Sequence, residues 1–355
     1  MQLTTPSSSI EETEFQIEML KGVSRTFALT IPQLPAPLHP IVTNAYLLCR
    51  IIDTIEDEIT LTYTEKEHFC SSFLKVVFGS GDPCQFADDL GKCLSEKTIP
   101  AEHLLIRYTP RVIAVTRRLT ETQQNIIRSC LTTMVRGMLH YQKYPPHRGL
   151  RDFHELNRYC YFVAGTVGEL LTNLFSDYSP EIAKRKDRLM SLANCFGQGL
   201  QLTNILKDIW EDLENGICWL PRDIFAGNQY NLDRIRPLQN NKEFESGIRR
   251  MTGIACGQLQ KAFDYSMTIP PNEKGIRKFC LWNIGMAAYT LRKINKNPGF
   301  SAAEEVKISR KTVRFVAASS NLCISSDTAL KLIFKLWIRG LHSEKIELPD
   351  PALYN

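Results

Sequence analysis

Two acidic clusters are the residues of this chain best suited to chemistry. The first is Arg50-Ile-Ile-Asp53-Thr-Ile-Glu56-Asp57. On a helix Asp53 and Asp57 stand at i and i+4, one turn apart on one face, with Arg50 a turn earlier and Glu56 beside them. The second is Asn204-Ile-Leu-Lys207-Asp208-Ile-Trp-Glu211-Asp212, where Asn204, Asp208 and Asp212 form an i, i+4, i+8 stripe. Like charges at this spacing cost an isolated helix about 0.2–0.5 kcal/mol per pair, so carboxylates crowded against Ile51, Ile52 and Ile55 call for a cation. An oxygen-only ligand set fits Mg²⁺, which takes one or two carboxylates, keeps waters and accepts phosphate oxygens. A solvated helix face is the plainer alternative, and spacing leaves both open.

The elements that must position these clusters are helices. Prolines at 32, 35, 37 and 40 break the chain, as do Pro145–Pro146, Pro221, Pro270–Pro271 and Pro298. Between them apolar residues recur at helical spacing: Ile41, Ala45, Leu48, Ile52 and Ile55, then the runs Leu189 to Leu213 and Ile276 to Ile294. Alternating strand patterns are scarce. The reading is an all-α, single-domain protein over residues 1–355, with about the first 15 residues frayed.

Composition narrows the class. The 355 residues carry 43 Lys+Arg against 38 Asp+Glu, a net charge of +5 that is too small to imply nucleic acid. Eleven cysteines, an odd number with no Cys-x-x-Cys, argue against zinc or thioredoxin-like sites and for a reducing compartment. The polar N-terminus resembles no signal or transit peptide, and no apolar run reaches membrane-spanning length. The expectation is a cytoplasmic protein without signal peptide or transmembrane anchor. Leu330 to Leu341, with Lys331, Lys335 and Arg339 among apolar residues, fits either a bilayer surface or a last packed helix.

Four blocks in order resemble the squalene/phytoene synthase family, the head-to-head trans-prenyl transferases: Ser24-Arg25-Thr26-Phe27; Tyr46 to Asp57; Tyr159-Cys-Tyr-Phe-Val-Ala-Gly165-Thr-Val-Gly168; and Gln201 to Asp212. Two later blocks, Phe279 to Leu291 and Val306-Lys307-Ile-Ser-Arg310-Lys311, are similar to the squalene-forming branch. The resemblance implies a helical bundle of the trans-isoprenoid synthase type with a central active-site cavity. It implies two farnesyl diphosphates condensed to presqualene diphosphate, then reduced by NADPH to squalene. Asp53, Glu56, Asp57, Asn204, Asp208 and Asp212 would be the Mg²⁺ residues. Arg25, Arg50 and Lys207 would contact diphosphate, with Ser24, Thr26 and Phe27 as its flap and Tyr46, Gly165, Gln201 and Phe279 along the substrate. Tyr159 would assist proton removal; Asn204, Lys307, Arg310 and Lys311 would serve NADPH.

Each assignment has a plainer counterpart: a helix cap for Ser24 and Thr26, a core aromatic for Tyr159 or Phe279, helix packing for Gly165 and Gly168, a solvated face for the basic cluster. Gly197-Gln-Gly199 follows no strand and lacks a third glycine, so it is no dinucleotide loop. Two positions depart from the pattern, Lys207 and Ile217, where Arg is usual. They leave open a non-reduced product: presqualene diphosphate, dehydrosqualene, hydroxysqualene or phytoene. A non-catalytic helical assembly factor is a third reading, at odds with four intact aspartates. Monomer and homodimer are both compatible with the sequence.

Overall fold

Capping chemistry sets many of the helix boundaries in the computed structural model, which describes residues 6–227, 230–235, 241–344 and 346. Thr62 and Glu65 form a reciprocal capping box, and Asp82, Asp152, Asn241, Ser309 and Ser326 each accept a backbone N–H at a helix start. Gly79, at φ 88°, closes the helix that the capping box opens. No strand occurs among the described residues; one isolated bridge pairs Leu150 with Pro221.

The chain divides into two units. The first comprises residues 1–143 and 173–180, the second residues 144–172 and 181–355. Helices α1 (Pro6–Val23), α2 (Phe27–Thr30), α3 (Leu38–Asp57), α4 (Tyr63–Phe78), α5 (Pro83–Cys93), α6 (Pro100–Arg107), α7 (Thr109–Thr116) and α8 (Glu121–Lys143) fall in the first. Helix α9 (Phe153–Cys160) runs through a π turn, Tyr161–Gly165, into α10 (Thr166–Tyr178), within which the division falls. After α11 (Pro180–Ala183), the second unit continues with α12 (Lys186–Lys207), α13 (Ile209–Glu214), α14 (Arg222–Ala226), α15 (Lys242–Thr268), α16 (Lys274–Lys296), α17 (Ala303–Val306), α18 (Arg310–Cys323) and α19 (Asp327–Trp337). Helix α1 starts within the span the sequence assigns to fraying: Phe15 is buried, edge-on to Tyr108 with Arg111 over its ring. Met1 to Thr5 lie outside the described residues.

In the first unit α3 is the central helix, touching α1, α4, α6, α7 and α8. Its apolar residues Leu47, Leu48, Ile51, Ile52 and Ile55 are fully buried, each contributing roughly 1.5–3 kcal/mol. Asn44 is buried as well, donating to the Val112 carbonyl and accepting from Thr116. Beyond the C-terminus of α3, buried Glu58 accepts from Thr60, Ser95 and Thr98. Burial would push its carboxyl up, but these hydrogen bonds win and hold it at about 2.

In the second unit α12 runs along α15, and α15 along α16. Two glycines bring α12 against the preceding segment. A Cβ on Gly197 would lie 2.0 Å from the Ala164 carbonyl oxygen, and one on Gly168 would lie 2.0 Å from that of Ala193. The helical cost of these glycines is therefore a consequence of backbone-to-backbone approach.

Gly197→Ala should destabilise the protein by about 1–3 kcal/mol in urea unfolding, because the overpacking exceeds the gain in helix propensity. Glu58→Gln should cost about 2 kcal/mol at neutral pH. Since the folded carboxyl sits below the ordinary 4.5, its contribution is present above that pH and fades as pH falls toward 2. Melting curves of parent and variant should therefore converge in acid; a gap that persisted at pH 2 would refute the assignment.

Candidate active site

After Ile41, the positions of α3 that are not buried are Tyr46, Arg50, Asp53, Glu56 and Asp57. Tyr46, Arg50, Asp53 and Asp57 follow each other at intervals of four, three and four, a single stripe along an otherwise apolar helix. Ser24 to Phe27 join its upper end. Ser24 Oγ accepts the Phe27 N–H at 3.0 Å, the Phe27 ring lies 5.1 Å from that of Tyr46, and the Tyr46 hydroxyl donates to the Val23 carbonyl. Ser24 thus closes the turn that leads into α2 while standing at the stripe; Thr26, the N-cap residue, makes no side-chain cap bond. Arg25 and Thr26 are exposed beside it.

Arg50 lies 3.7 Å from Asp53 and is gripped from the other side by Glu102, to which its Nε donates at 2.8 Å and its Nη2 also donates. Glu102 is buried in the first turn of α6, while Arg50 keeps 27% of its side chain exposed. Sequence reasoning missed Glu102. An acid in the first turn of a helix that opens on proline is explained by the helix dipole, and nothing local links it to an arginine 52 residues away.

The electrostatics of the stripe are those of a site short of positive charge. Burial raises the Asp53 carboxyl to about 7; Arg50 pulls it down, but Asp57 and Glu102 push it back up. Glu56 is raised to about 8 by burial and by Asp57 and Asp53. Its side chain lies 3.5 Å from Gln142 of α8, and its carbonyl accepts from the buried Lys66, which also donates to Gln142. The C-terminal end of α3 is thereby tied to α4 and α8.

In the second unit the expected continuous helix breaks at Asp208, which has φ −101° and ψ 12° between α12 and α13. The i, i+4 relation survives the break, because Asp208 N donates to the Asn204 carbonyl and Asp212 N to that of Asp208. Asn204 is exposed, and Gln201, Asp208 and Asp212 are half-buried. Lys207 pairs with Asp208 at 3.1 Å. Burial raises the Asp208 carboxyl, Lys207 lowers it and Glu304 of α17 raises it again.

Tyr159 is buried and stacked face to face on Trp219, with ring centroids 3.7 Å apart and planes 10° from parallel. Trp219 is the second residue that sequence reasoning missed. It is carried on a segment strapped to residues 146–150: Cys218 N donates to the Pro146 carbonyl, Leu150 N to that of Leu220, and Arg222 N to that of Leu150. Gly149, at φ 91°, allows this approach, since a Cβ there would lie 2.7 Å from the Leu220 oxygen. Trp219 also lines a narrow pocket with Asp212, Cys218 and Ile205, so within this unit it neighbours both Tyr159 and an acidic candidate.

The remaining candidates are dispersed. Gly165 is buried in the π turn with Tyr161 and Asn194 around it. Phe279 is packed in the core of the second unit near Phe196. Lys307, Arg310 and Lys311 are exposed at the start of α18. Among the described residues no three His, Cys, Asp or Glu side chains form a protein-only metal cage. The donor supply, paired carboxylates of which burial raises Asp53 and Asp208, fits a hard cation that completes its shell from water and phosphate oxygen.

A family model described as squalene/phytoene synthase matches residues 20–312. The squalene synthase of Gibberella zeae is 29% identical over 299 residues, 82% of this chain and 61% of that protein. That of Botryococcus braunii is 30% identical over 323 residues, 88% of this chain and 65% of that protein. The chain thus spans about three fifths of the length of such curated relatives. Among solved structures, TcSQS with the ligand E5700 superposes with TM-score 0.72 at 24% identity, covering 92% of this chain and 91% of that one. A dehydrosqualene synthase in complex with ligand gives 0.67 at 16%, covering 90% and 99%. The all-α isoprenoid synthase fold expected from the sequence is the fold observed.

Glu102→Ala should destabilise the protein by about 2–3 kcal/mol, because it leaves Arg50 partly desolvated without its main partner. Adding Arg50→Met should recover much of that loss in urea unfolding. Additive losses in the double variant would show that the pair is not coupled.

Proposed function

The chain belongs to the squalene/phytoene synthase family, and from that premise we propose that it condenses two farnesyl diphosphates head to head into presqualene diphosphate and reduces this to squalene with NADPH. The observation that carries the proposal is the pair of acidic stripes, Asp53 with Asp57 at the margin of the otherwise apolar α3 and Asp208 with Asp212 across the break between α12 and α13.

Bound at these carboxylates, Mg²⁺ would supply the positive charge that stabilises departing diphosphate. The chain's own residues divide the rest of the work. Arg50, fixed by Glu102, presents its remaining N–H groups to phosphate oxygens in the planar geometry that suits them. Arg25 adds charge from the Ser24–Phe27 turn, and the Ser24 and Thr26 hydroxyls supply further donors. Lys207 brings a point charge to Asp208, which keeps the charge that an arginine would bring but not its fork.

Ionisation of the donor breaks an allylic C–O bond and leaves a carbocation. The acceptor's double bond captures it, and loss of one proton closes the cyclopropane of presqualene diphosphate. Tyr159 takes part through its hydroxyl and its ring, and the Trp219 stack fixes the plane of that ring. After a second ionisation and rearrangement, NADPH would supply the hydride that quenches the last cation. Arg310 and Lys311 stand in the first turn of α18, where the helix dipole already disfavours cations. Two basic residues at that cost suit an anionic cofactor phosphate, with Lys307 adjacent and Asn204 as a further polar contact. Gln201, Gly165 and Phe279 complete the substrate-contacting set. Ile217 offers no charge, and a non-reduced product remains the second reading on that ground.

Incubation with farnesyl diphosphate and Mg²⁺, with and without NADPH, tests the proposal. Squalene should form only with NADPH and presqualene diphosphate should accumulate without it; no NADPH-dependent squalene would overturn the reductive step. Asp53→Ala should lower turnover by orders of magnitude, yet without metal it should melt no lower than the parent, because it removes one of several crowded carboxylates. Retained turnover would refute the assignment.

A further inference from the structure

The positive charge of this protein is concentrated in one helical hairpin. Residues 306–341 carry seven basic residues against one acid, Asp327, a local charge of +6 in a chain of +5, so the remainder is −1. The single acid is already engaged, accepting from buried Arg277. The hairpin consists of α18 and α19, which pack on α16. A Cβ on Gly285 of α16 would meet Val316 of α18 at 2.5 Å and Trp337 of α19 at 3.3 Å. Both helices therefore turn one side to α16 and the other away from it.

The side turned away is not simply polar. On α19 the exposed residues are Asp327 and Thr328 in the first turn, then Lys331, Leu332, Lys335 and Leu336, with Arg339 one turn on; beyond Asp327, which is paired with Arg277, a basic row runs beside an apolar one. Leu332 is 63% exposed and Leu336 40%. On α18 Leu322 is 87% exposed, with Lys311 and Arg314 exposed as well, while Phe315, 44% exposed, lies edge-on to Tyr289 of α16. Large apolar side chains interleaved with cations, with no free acid among them, match the headgroup–acyl boundary of an anionic bilayer. A second copy of the chain is a poor occupant of this face, since a twofold contact would set one basic row against another. Among the described residues no helix is long and apolar enough to cross a membrane, and α18 and α19 are themselves packed on α16 along their inner sides.

We propose that the outer face of the α18–α19 hairpin docks on membranes rich in anionic phospholipid, with Leu322, Leu332 and Leu336 entering the interface and Lys331, Lys335 and Arg339 contacting phosphate-bearing headgroups. The proposal rests on exposure and charge and is independent of the catalytic reading.

Co-sedimentation of the full chain with vesicles tests it. The protein should bind vesicles of phosphatidylcholine with phosphatidylserine, bind phosphatidylcholine alone far more weakly, and be released by salt. Lys331→Gln with Lys335→Gln and Arg339→Gln should weaken partitioning about a hundredfold, at about fivefold per charge. Leu332→Ser with Leu336→Ser should weaken it about tenfold or more, with an unchanged melting curve because both side chains are exposed. The proposal is overturned if the parent ignores phosphatidylserine, if the charge variant binds as the parent does, or if sedimentation velocity shows the leucine variant dissolving a dimer.

Discussion

Around Asp53 the protein withholds hydration from a carboxylate and offers one adjacent cation, Arg50, in return. That cation is already claimed by Glu102, so the negative charge of the stripe exceeds the positive charge available to it. The packing of α3 imposes this arrangement. Its apolar faces are consumed by the surrounding helices, and its end is fastened by Lys66 and Glu58, so the stripe is held in place with Asp53 and Glu56 half-buried and Asp57 exposed. A helix whose stability comes from burial on its other faces tolerates such an edge, because tertiary packing outweighs a repulsion of a few tenths of a kcal/mol per pair.

The second unit meets a different demand, precise placement of aromatic rings, by bringing backbone close to backbone. Gly168 and Gly197 let α12 touch the segment after Tyr159, and Gly149 lets residues 146–150 lie along 218–222. The result is that Tyr159 and Trp219, sixty positions apart, stack at 3.7 Å. The π turn at Tyr161–Gly165 lies where α9 gives way to α10 and shifts the helical register just after the tyrosine. Ring orientation here is a product of chain packing that no side chain achieves alone.

Much of this was legible beforehand. The i, i+4 spacing placed Asp53 and Asp57 on one face because helical geometry is local, and the isoleucines between them identified the buried side. Ser24 was readable as a local hydrogen-bond acceptor for the same reason, its hydroxyl meeting the Phe27 N–H three residues on. Other features were hidden. The break at Asp208 lies in a sequence whose periodicity runs on unbroken, since the hydrogen-bond pattern on either side is preserved. Glu102 reads as a helix-dipole residue, and Trp219 as one aromatic among several; each gains its role from a partner far away in the chain.

The order of residue types along the chain determined that this protein is helical, which helix faces are apolar, and where acidic and basic groups are concentrated, because propensity, periodicity and charge act over a few residues. Only the tertiary structure decided which of those groups lose water and which meet one another. Asp53 shares its arginine with Glu102, Phe279 lies in the core near Phe196, and Leu322 and Leu332 are left uncovered. Solvation and contact depend on the whole packed chain, so their outcome is fixed only when distant segments have come together.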